Sequence, residues 1–458
     1  MHVNVLVAEI GSTTTIVNAF DGLGSTSPRF VAQGKAPTTV LDGDVRIGLQ
    51  NAVDDLLLHT GEKTLSYDRM LASGSAAGGL RMTVHGLVRD MTVRAAEAAA
   101  LGAGAIIVQT TAGKMNEFDL DDLDAARPNL ILLAGGTDYG ERETAVYNMR
   151  AIAEHGQKTP IIYCGNVQNR TIVSRIAAEH GIPLSIADNV YPRLDELNVE
   201  SVRKVIHAMF EEHIVKAPGM EHIRDMVNGA ILPTPGSVML SAQLLYDEIG
   251  DLAAIDIGGA TTDVHSVTDG SPEIVSMMTS PEPKAKRTVE GDLGLYINAH
   301  NLVDRIGTDT LNKELGIDTA TVMQAYLPIP ETETQFRLTE RLCLEAGLVA
   351  LDRHAGKLRH LYTPQGRRTI AEGKDLTAIK WLIGTGGALT RLPHHESILR
   401  TIADCNKSRM QLLPSPGTVR LLFDNDYIMA SVGVLSKEDP ESALRLLKES
   451  IRWNEIRN

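Results

Sequence analysis

Two short segments of the chain carry residues that could hold a phosphorylated ligand between them. Residues 5–15 read VLVAEIGSTTT and residues 252–262 read LAAIDIGGATT, 247 positions further on. At that spacing Glu9 pairs with Asp256, Ile10 with Ile257, Gly11 with Gly258, and Thr14–Thr15 with Thr261–Thr262. Glycines and hydroxyl residues in a tight turn, here Gly11, Ser12, Thr13 and Thr14, and Gly258, Gly259, Ala260, Thr261 and Thr262, let backbone N–H groups and hydroxyls converge on one point. Such a point is an anion site of the nest type. An acidic residue at the preceding strand end would repel a bare phosphate, but it suits a hydrated Mg2+ that bridges phosphates, because Mg2+ keeps most of its waters and takes one or two carboxylates. A hairpin turn of the same composition needs no ligand, since Gly and Ser serve turn geometry by themselves. Repetition with the acid in register is what favours binding.

A third segment fits the same chemistry. Residues 381–389 (WLIGTGGAL) are an apolar run entering Gly384, Gly386 and Gly387, a cluster that permits close backbone approach to a flat base or to an α-phosphate. The elements that must position these residues are legible around them. Each repeated unit is a buried strand ending in the acid, a tight turn, and a second strand (residues 16–20 and 264–267).

Composition bounds what else the chain can be. At 458 residues, two or more domains sharing a cleft are expected, and 43% hydrophobic with 22% charged residues is a globular balance. The 58 acidic against 44 basic side chains give a net charge of −14, which disfavours nucleic acid and anionic membrane as partners. Cys164, Cys343 and Cys405 are far apart and without CxxC spacing, so neither a disulfide framework nor a zinc knuckle is expected. The N-terminal apolar run reaches Glu9 and Gly11 too soon for a signal or spanning helix, and no other stretch approaches membrane length. A cytoplasmic location is expected.

The three elements, in this order, resemble the phosphate-1, phosphate-2 and adenosine motifs of the actin, sugar-kinase and heat-shock-ATPase superfamily. Residues 230–245 resemble its first connecting helix, 426–435 its second, and 287–306 the turn and helix after phosphate-2. The resemblance implies an α/β fold: duplicated actin-like (ribonuclease H-like) ATPase domains. Two positions depart from the pattern. Glu9 stands where Asp is usual, and Ala260 where a third Gly is usual; neither abolishes the site on physical grounds, because a hydrated cation tolerates a water-mediated reach. Within the superfamily, residues 71–92, 133–143, 188–198 and 284–294 are similar to the glutamate mutase (methylaspartate mutase) accessory proteins, the MutL or GlmL family.

That family implies ATP and Mg2+ as cofactors, with Glu9 and Asp256 as metal-positioning and catalytic acids and the two turns and the glycine cluster as nucleotide contacts. It also implies an adenosylcobalamin-dependent mutase as partner, and ATP hydrolysis coupled to domain motion rather than metabolic chemistry. The chain has no Asp-x-His-x-x-Gly cobalamin motif, so the cobalamin would stay on the partner. A small-molecule kinase and a filament-forming actin-like ATPase are the rival readings.

About 200 residues separate the first motif from the first connecting helix, more than a minimal nucleotide-clasping domain needs, which implies an insertion. Short apolar strands at 105–108, 130–133 and 160–163 alternate with helical stretches there, a Rossmann-like pattern. The expected division is 1–94 for the first part of domain I, 95–195 for the inserted module, 196–248 for the return to domain I and the connecting helix, 249–430 for domain II, and 431–458 for a C-terminal helix packing on domain I. The Gly135–Gly136 turn could hold a ligand or serve only as a tight strand-to-helix turn. Lys284, Lys286 and Arg287 could neutralise phosphate across the cleft or simply coat the surface. The run Asp119, Asp121, Asp122, Asp124 reads as a solvated helix start, and His394–His395 as surface residues.

Overall fold

The computed structural model describes residues 1–75, 80–214, 219–220, 222–364 and 366–456; residues 76–79, within the run 71–92, lie outside it. The first sheet opens with β1 (His2–Ile10), β2 (Thr14–Asp21), β3 (Arg29–Pro37) and β4 (Ser66–Gly74). β2 pairs antiparallel with β1 and β3, while β4 lies parallel to β1 on its other side. The chain then leaves for a second, wholly parallel sheet of β5 (Leu80–Gly86), β6 (Ala105–Ala112), β7 (Leu130–Leu133), β8 (Ile161–Tyr163) and β9 (Leu184–Ile186), in spatial order β6-β5-β7-β8-β9. It returns as β10 (Ile231–Pro233), parallel to β4, which completes the order β10-β4-β1-β2-β3.

The third sheet repeats the first. β11 (Leu252–Ile257), β12 (Thr262–Val267) and β13 (Ala285–Glu290) run antiparallel in sequence. After a separate hairpin of β14 (Lys357–Thr363) and β15 (Gly366–Glu372), β16 (Trp381–Thr385) and β17 (Arg420–Phe423) add in parallel beyond β11. The order β13-β12-β11-β16-β17 is that of the first sheet strand for strand. The fold is the duplicated ribonuclease H-like, actin-like α/β arrangement, with a doubly wound sheet inserted in its first half.

Strand periodicity explains where the carboxylates emerge. Leu6, Ala8 and Ile10 face the core beneath the helix Val45–Thr60, whereas Val5 and Val7 face a core shared between the two repeated sheets. β11 divides likewise: Ala253, Ile255 and Ile257 enter the core of the second half, and Leu252 and Ala254 the shared one. With a period of two, the next residues on the shared side are Glu9 and Asp256. Both acids therefore stand at the rim of the shared core, one from each sheet.

Two helices cross that core. The first, Thr234–Ile249, starts directly after β10 with a proline in its first turn; the second is Met429–Leu435. They approach so closely that a Cβ on Gly433 would lie 1.9 Å from the carbonyl oxygen of Ser237. Ser241 Oγ donates to Met429 O at 2.6 Å, and Asn18 Nδ2 reaches Ser431 Oγ at 2.8 Å from the first sheet. Residue 431, where the sequence places a boundary, lies inside this second helix. The C-terminal helix Pro440–Ser450 meets the β2–β3 turn, where Gly24 N donates to Asp439 Oδ2 (3.0 Å) and Ser442 Oγ (3.1 Å).

The inserted sheet begins upstream of residue 95, because β5 is flanked by both β6 and β7. Leu80, Met82 and Val84 explain why: with the helices Arg94–Gly102 and Val199–Ile214 they pack into the same core as the first sheet. Its other face is covered by Glu117–Ala126, Glu143–Glu154 and Arg170–His180 around Leu123, Met149, Ile152 and Val173. The acidic run opens the first of these helices, capped by Asn116 and Asp119 in a capping box. Among the described residues no helix is long and apolar enough to cross a membrane, and the three cysteines are free thiols.

Candidate functional site

One hydrogen bond closes both repeated turns: Gly11 N donates to Thr14 O, and Gly258 N to Thr261 O, each at 3.0 Å. Their carbonyls are engaged from behind. Thr38 donates from Oγ1 to Gly11 O at 2.8 Å and from N to Thr13 O at 3.1 Å. In the second turn Leu295 N, Tyr296 N and Ile297 N serve Gly258 O and Gly259 O at 2.8–3.0 Å, and Asn298 Nδ2 serves Ala260 O at 3.0 Å. Among the described residues, the backbone N–H groups of Ser12, Thr13, Gly259 and Ala260 have no protein acceptor, so each turn offers unspent donors at its apex. The two apices meet: a Cβ on Gly259 would come within 3.1 Å of Thr13 Oγ1. Backbone N–H groups without acceptors, brought together from two turns, are the donor set that an anion site of the nest type uses.

Behind the apices the carboxylates crowd together. Glu9 is 7% exposed, and burial, reinforced by Asp256 and Asp424, pushes it up to about 8. The Tyr427 hydroxyl opposes this by donating to Glu9 Oε1 at 3.3 Å. Asp256 keeps some contact with solvent, yet desolvation, then Asp263 and Asp424, push it up to about 7 against the pull of Arg287. Asp424 is buried and fully used: it accepts from Thr385 Oγ1 (3.0 Å), Ile428 N (3.0 Å), Met429 N (2.9 Å) and Ser450 Oγ (2.8 Å). It thereby ties the glycine segment to the start of the second linking helix.

The glycine segment lies where contact with the acids demands it. Gly386 has φ +80°, and a Cβ there would fall 2.4 Å from Asp256 Oδ1 and 2.8 Å from Ile257 N. Gly384 packs against Leu399 and Phe423 inside β16, and Gly387 faces open space. The structure thus gathers both turns, both acids and the glycine segment at one end of the shared core.

Glu9 Oε2 and Ser73 Oγ are buried without a partner among the described residues, and the two residues are neighbours across β1 and β4. An all-oxygen group with an unsatisfied carboxylate fits a hard cation such as hydrated Mg2+, which needs only one or two protein carboxylates. No group of three or more His, Cys, Asp or Glu placed to hold a metal occurs among the described residues.

Other sequence candidates fall elsewhere. Lys286 and Arg287 are buried rather than lining the cleft or coating the surface: Lys286 Nζ donates to Thr268 O at 2.7 Å, and Arg287 Nε to Asp263 Oδ1 at 2.7 Å. Lys284 pairs with Asp269 at 3.0 Å. Gly136 O accepts from Asn189 Nδ2 at 3.0 Å and Asp138 N donates to Pro192 O at 2.9 Å, so the chain's own 187–198 segment covers that turn. His394 is exposed beside Glu340 at 3.0 Å, and His395 stacks edge-on against Phe423. Sequence reasoning missed Tyr427, Asp424, Thr38 and Ser73. Asp424 had a signal, since an Asp after a strand and before a helical run is a capping residue. Tyr427 falls in the run 426–435 read as the second connecting helix, but with φ +53° it lies ahead of that helix, which starts at Met429.

The family model described as MutL protein matches residues 5–451. The curated Protein MutL of Clostridium tetanomorphum is 36% identical, over 97% of this chain and 98% of its own. Among solved structures, acetone carboxylase in nucleotide-free form is similar at TM-score 0.40 and 13% identity, covering 95% of this chain and 70% of that one. A nucleotide-free diol dehydratase-reactivating factor is similar at TM-score 0.35 and 11% identity, covering 95% of this chain and 100% of that one.

Proposed function

This chain belongs to the MutL protein family, and from that premise we propose that it binds Mg2+–ATP between its two repeated turns and uses hydrolysis to reactivate an adenosylcobalamin-dependent mutase. Gly11, Ser12, Thr13 and Thr14 bracket the phosphates from the first sheet, and Gly258, Gly259, Ala260, Thr261 and Thr262 from the second. Gly384, Gly386 and Gly387 admit the adenosine. Glu9 and Asp256 hold the hydrated Mg2+ and orient the attacking water. Bound Mg2+ would neutralise charge on the phosphates; the protein's part is positioning and electrostatics. The observation that carries this reading is the pair of apices with free N–H donors, closed by the same hydrogen bond and meeting at Thr13 and Gly259.

Because the turns sit on opposite sheets, contacts to the γ-phosphate favour closure and are lost on hydrolysis, which turns phosphate state into a domain angle. We propose that this motion, in the cytoplasm, loosens glutamate mutase so that damaged cobalamin is exchanged while the cofactor stays on the partner. The division that goes with this reading starts the inserted unit at β5 and ends the second clasp, which begins at 249, ahead of the helix Met429–Leu435.

The test is ATP hydrolysis by the purified chain with and without cobalamin-inactivated glutamate mutase, following the return of mutase activity in fresh adenosylcobalamin. Recovery should require ATP. Asp256→Ala should lower hydrolysis about 100-fold or more with the fold retained. Unchanged turnover in that variant removes the site assignment; ATP splitting without recovery removes the mutase.

A further inference from the structure

Arg287 lies on β13, the edge strand of the third sheet, and is 2% exposed. Its guanidinium does two things at once. Nε donates to Asp263 Oδ1 at 2.7 Å, and Nη1 donates to Leu101 O at 3.0 Å and Ala105 O at 2.9 Å, the carbonyls where the first helix of the inserted module passes into β6. The other oxygen of Asp263 accepts from Thr261 Oγ1, in the second turn, at 3.0 Å. An unbroken path of hydrogen bonds therefore runs from the turn through Asp263 and Arg287 into the module.

We propose that Arg287 is a positioning residue that couples occupancy of the second turn to the inserted module, an inference that rests on the nucleotide reading above. The physical reason lies in Thr261. A threonine hydroxyl has one O–H to give. In the protein alone it gives that hydrogen to Asp263; a phosphate oxygen at the turn competes for it. When the hydrogen is given to phosphate, Asp263 Oδ2 loses its donor and the carboxylate relies more heavily on the guanidinium. Arg287 cannot follow the carboxylate without altering its bonds to Leu101 O and Ala105 O, because its donors form a rigid planar fork.

The seam has further ties. Arg203 Nη2 donates to Ala98 O at 3.2 Å and to Ala285 O at 2.8 Å, and Arg94 pairs with Glu282. Those contacts hold the module against β13 and the segment just before it without touching the turn. Arg287 is set apart because the carboxylate it grips also accepts from the turn. By linkage, whatever grips the module would then alter nucleotide affinity by the same factor.

Hydrogen–deuterium exchange on the full chain tests the coupling, first without nucleotide. Thr261→Val, which deletes the hydroxyl, should change exchange at amides 101–106 by about threefold or more in the wild-type background. In an Arg287→Lys background it should not, because an ammonium keeps the charge beside Asp263 but cannot span both carbonyls. A purely structural arginine would loosen the module regardless of residue 261, so equal effects of Thr261→Val in both backgrounds, or no effect in wild type, overturn the proposal. If Arg287→Lys does not fold, the near-isosteric Asp263→Asn serves in the same comparison. With Mg2+–ATP added, protection at 258–262 should reach 101–106 only in wild type, and protection that stops at the turn also overturns it. Absence of protection at both turns sinks the nucleotide reading, and the Thr261→Val comparison still decides the coupling.

Discussion

Glu9 and Asp256 set the energetic character of the cleft. A carboxyl raised from 4.5 to about 8, as Glu9 is, binds its proton more tightly folded than unfolded. Its contribution to stability is fully present below pH 4.5 and is lost as pH rises through 8. Asp256, raised to about 7, acts in the same direction. With a chelator present, urea-unfolding midpoints should therefore fall between pH 5 and pH 9, Glu9 contributing on the order of 1 kcal/mol per pH unit within its window. Glu9→Gln, neutral throughout, should flatten that slope; an unchanged slope would show that Glu9 does not titrate in this range. The acids were legible because they recur at one spacing ahead of similar turns. Tyr427 was not, since its hydroxyl reaches Glu9 from 418 residues away and the helical pattern around it says nothing of that contact.

Among the elements, the two linking helices depend on one glycine. Gly433 lets the helices approach until the Ser237 carbonyl occupies the space a side chain would need. Gly433→Ala should cost roughly 3 kcal/mol, because backbone on both sides resists the shift, and thermal melts should show it; a variant as stable as wild type would mean the helices can slide apart freely. The sequence located these elements but misjudged their edges. The run 230–245 resembles the first connecting helix, yet its opening residues Ile231–Pro233 are a strand and the helix starts at Thr234, since a short apolar segment reads the same in either state. Likewise 287–306 begins as the end of β13 and becomes helix only at Ala299. Pairing to β4 and β12 decided both cases, and strand pairing is not written locally.

At the scale of the whole molecule, the repeated sheets are two halves joined through their shared core, and their turns lie together at one end of it. Closure on Mg2+–ATP should reduce the radius of gyration in small-angle scattering, and hydrolysis should restore it. Equal radii in the two states would separate nucleotide binding from motion. The duplication was legible from the two turns alone, whereas the extent of the inserted sheet was not: β5 lies upstream of residue 95 and joins β6 and β7 by parallel pairing at a distance.

That insertion also orders the birth of the protein. β4 ends at Gly74, but β10, its partner along one edge, is not made until residue 231. On the ribosome the first sheet must wait, one edge unpaired, while the whole intervening unit emerges. An unpaired strand edge is a template for wrong associations. A pause or a truncated message within residues 80–230 would thus leave chains whose hazard lies in the first sheet, far from where synthesis stopped.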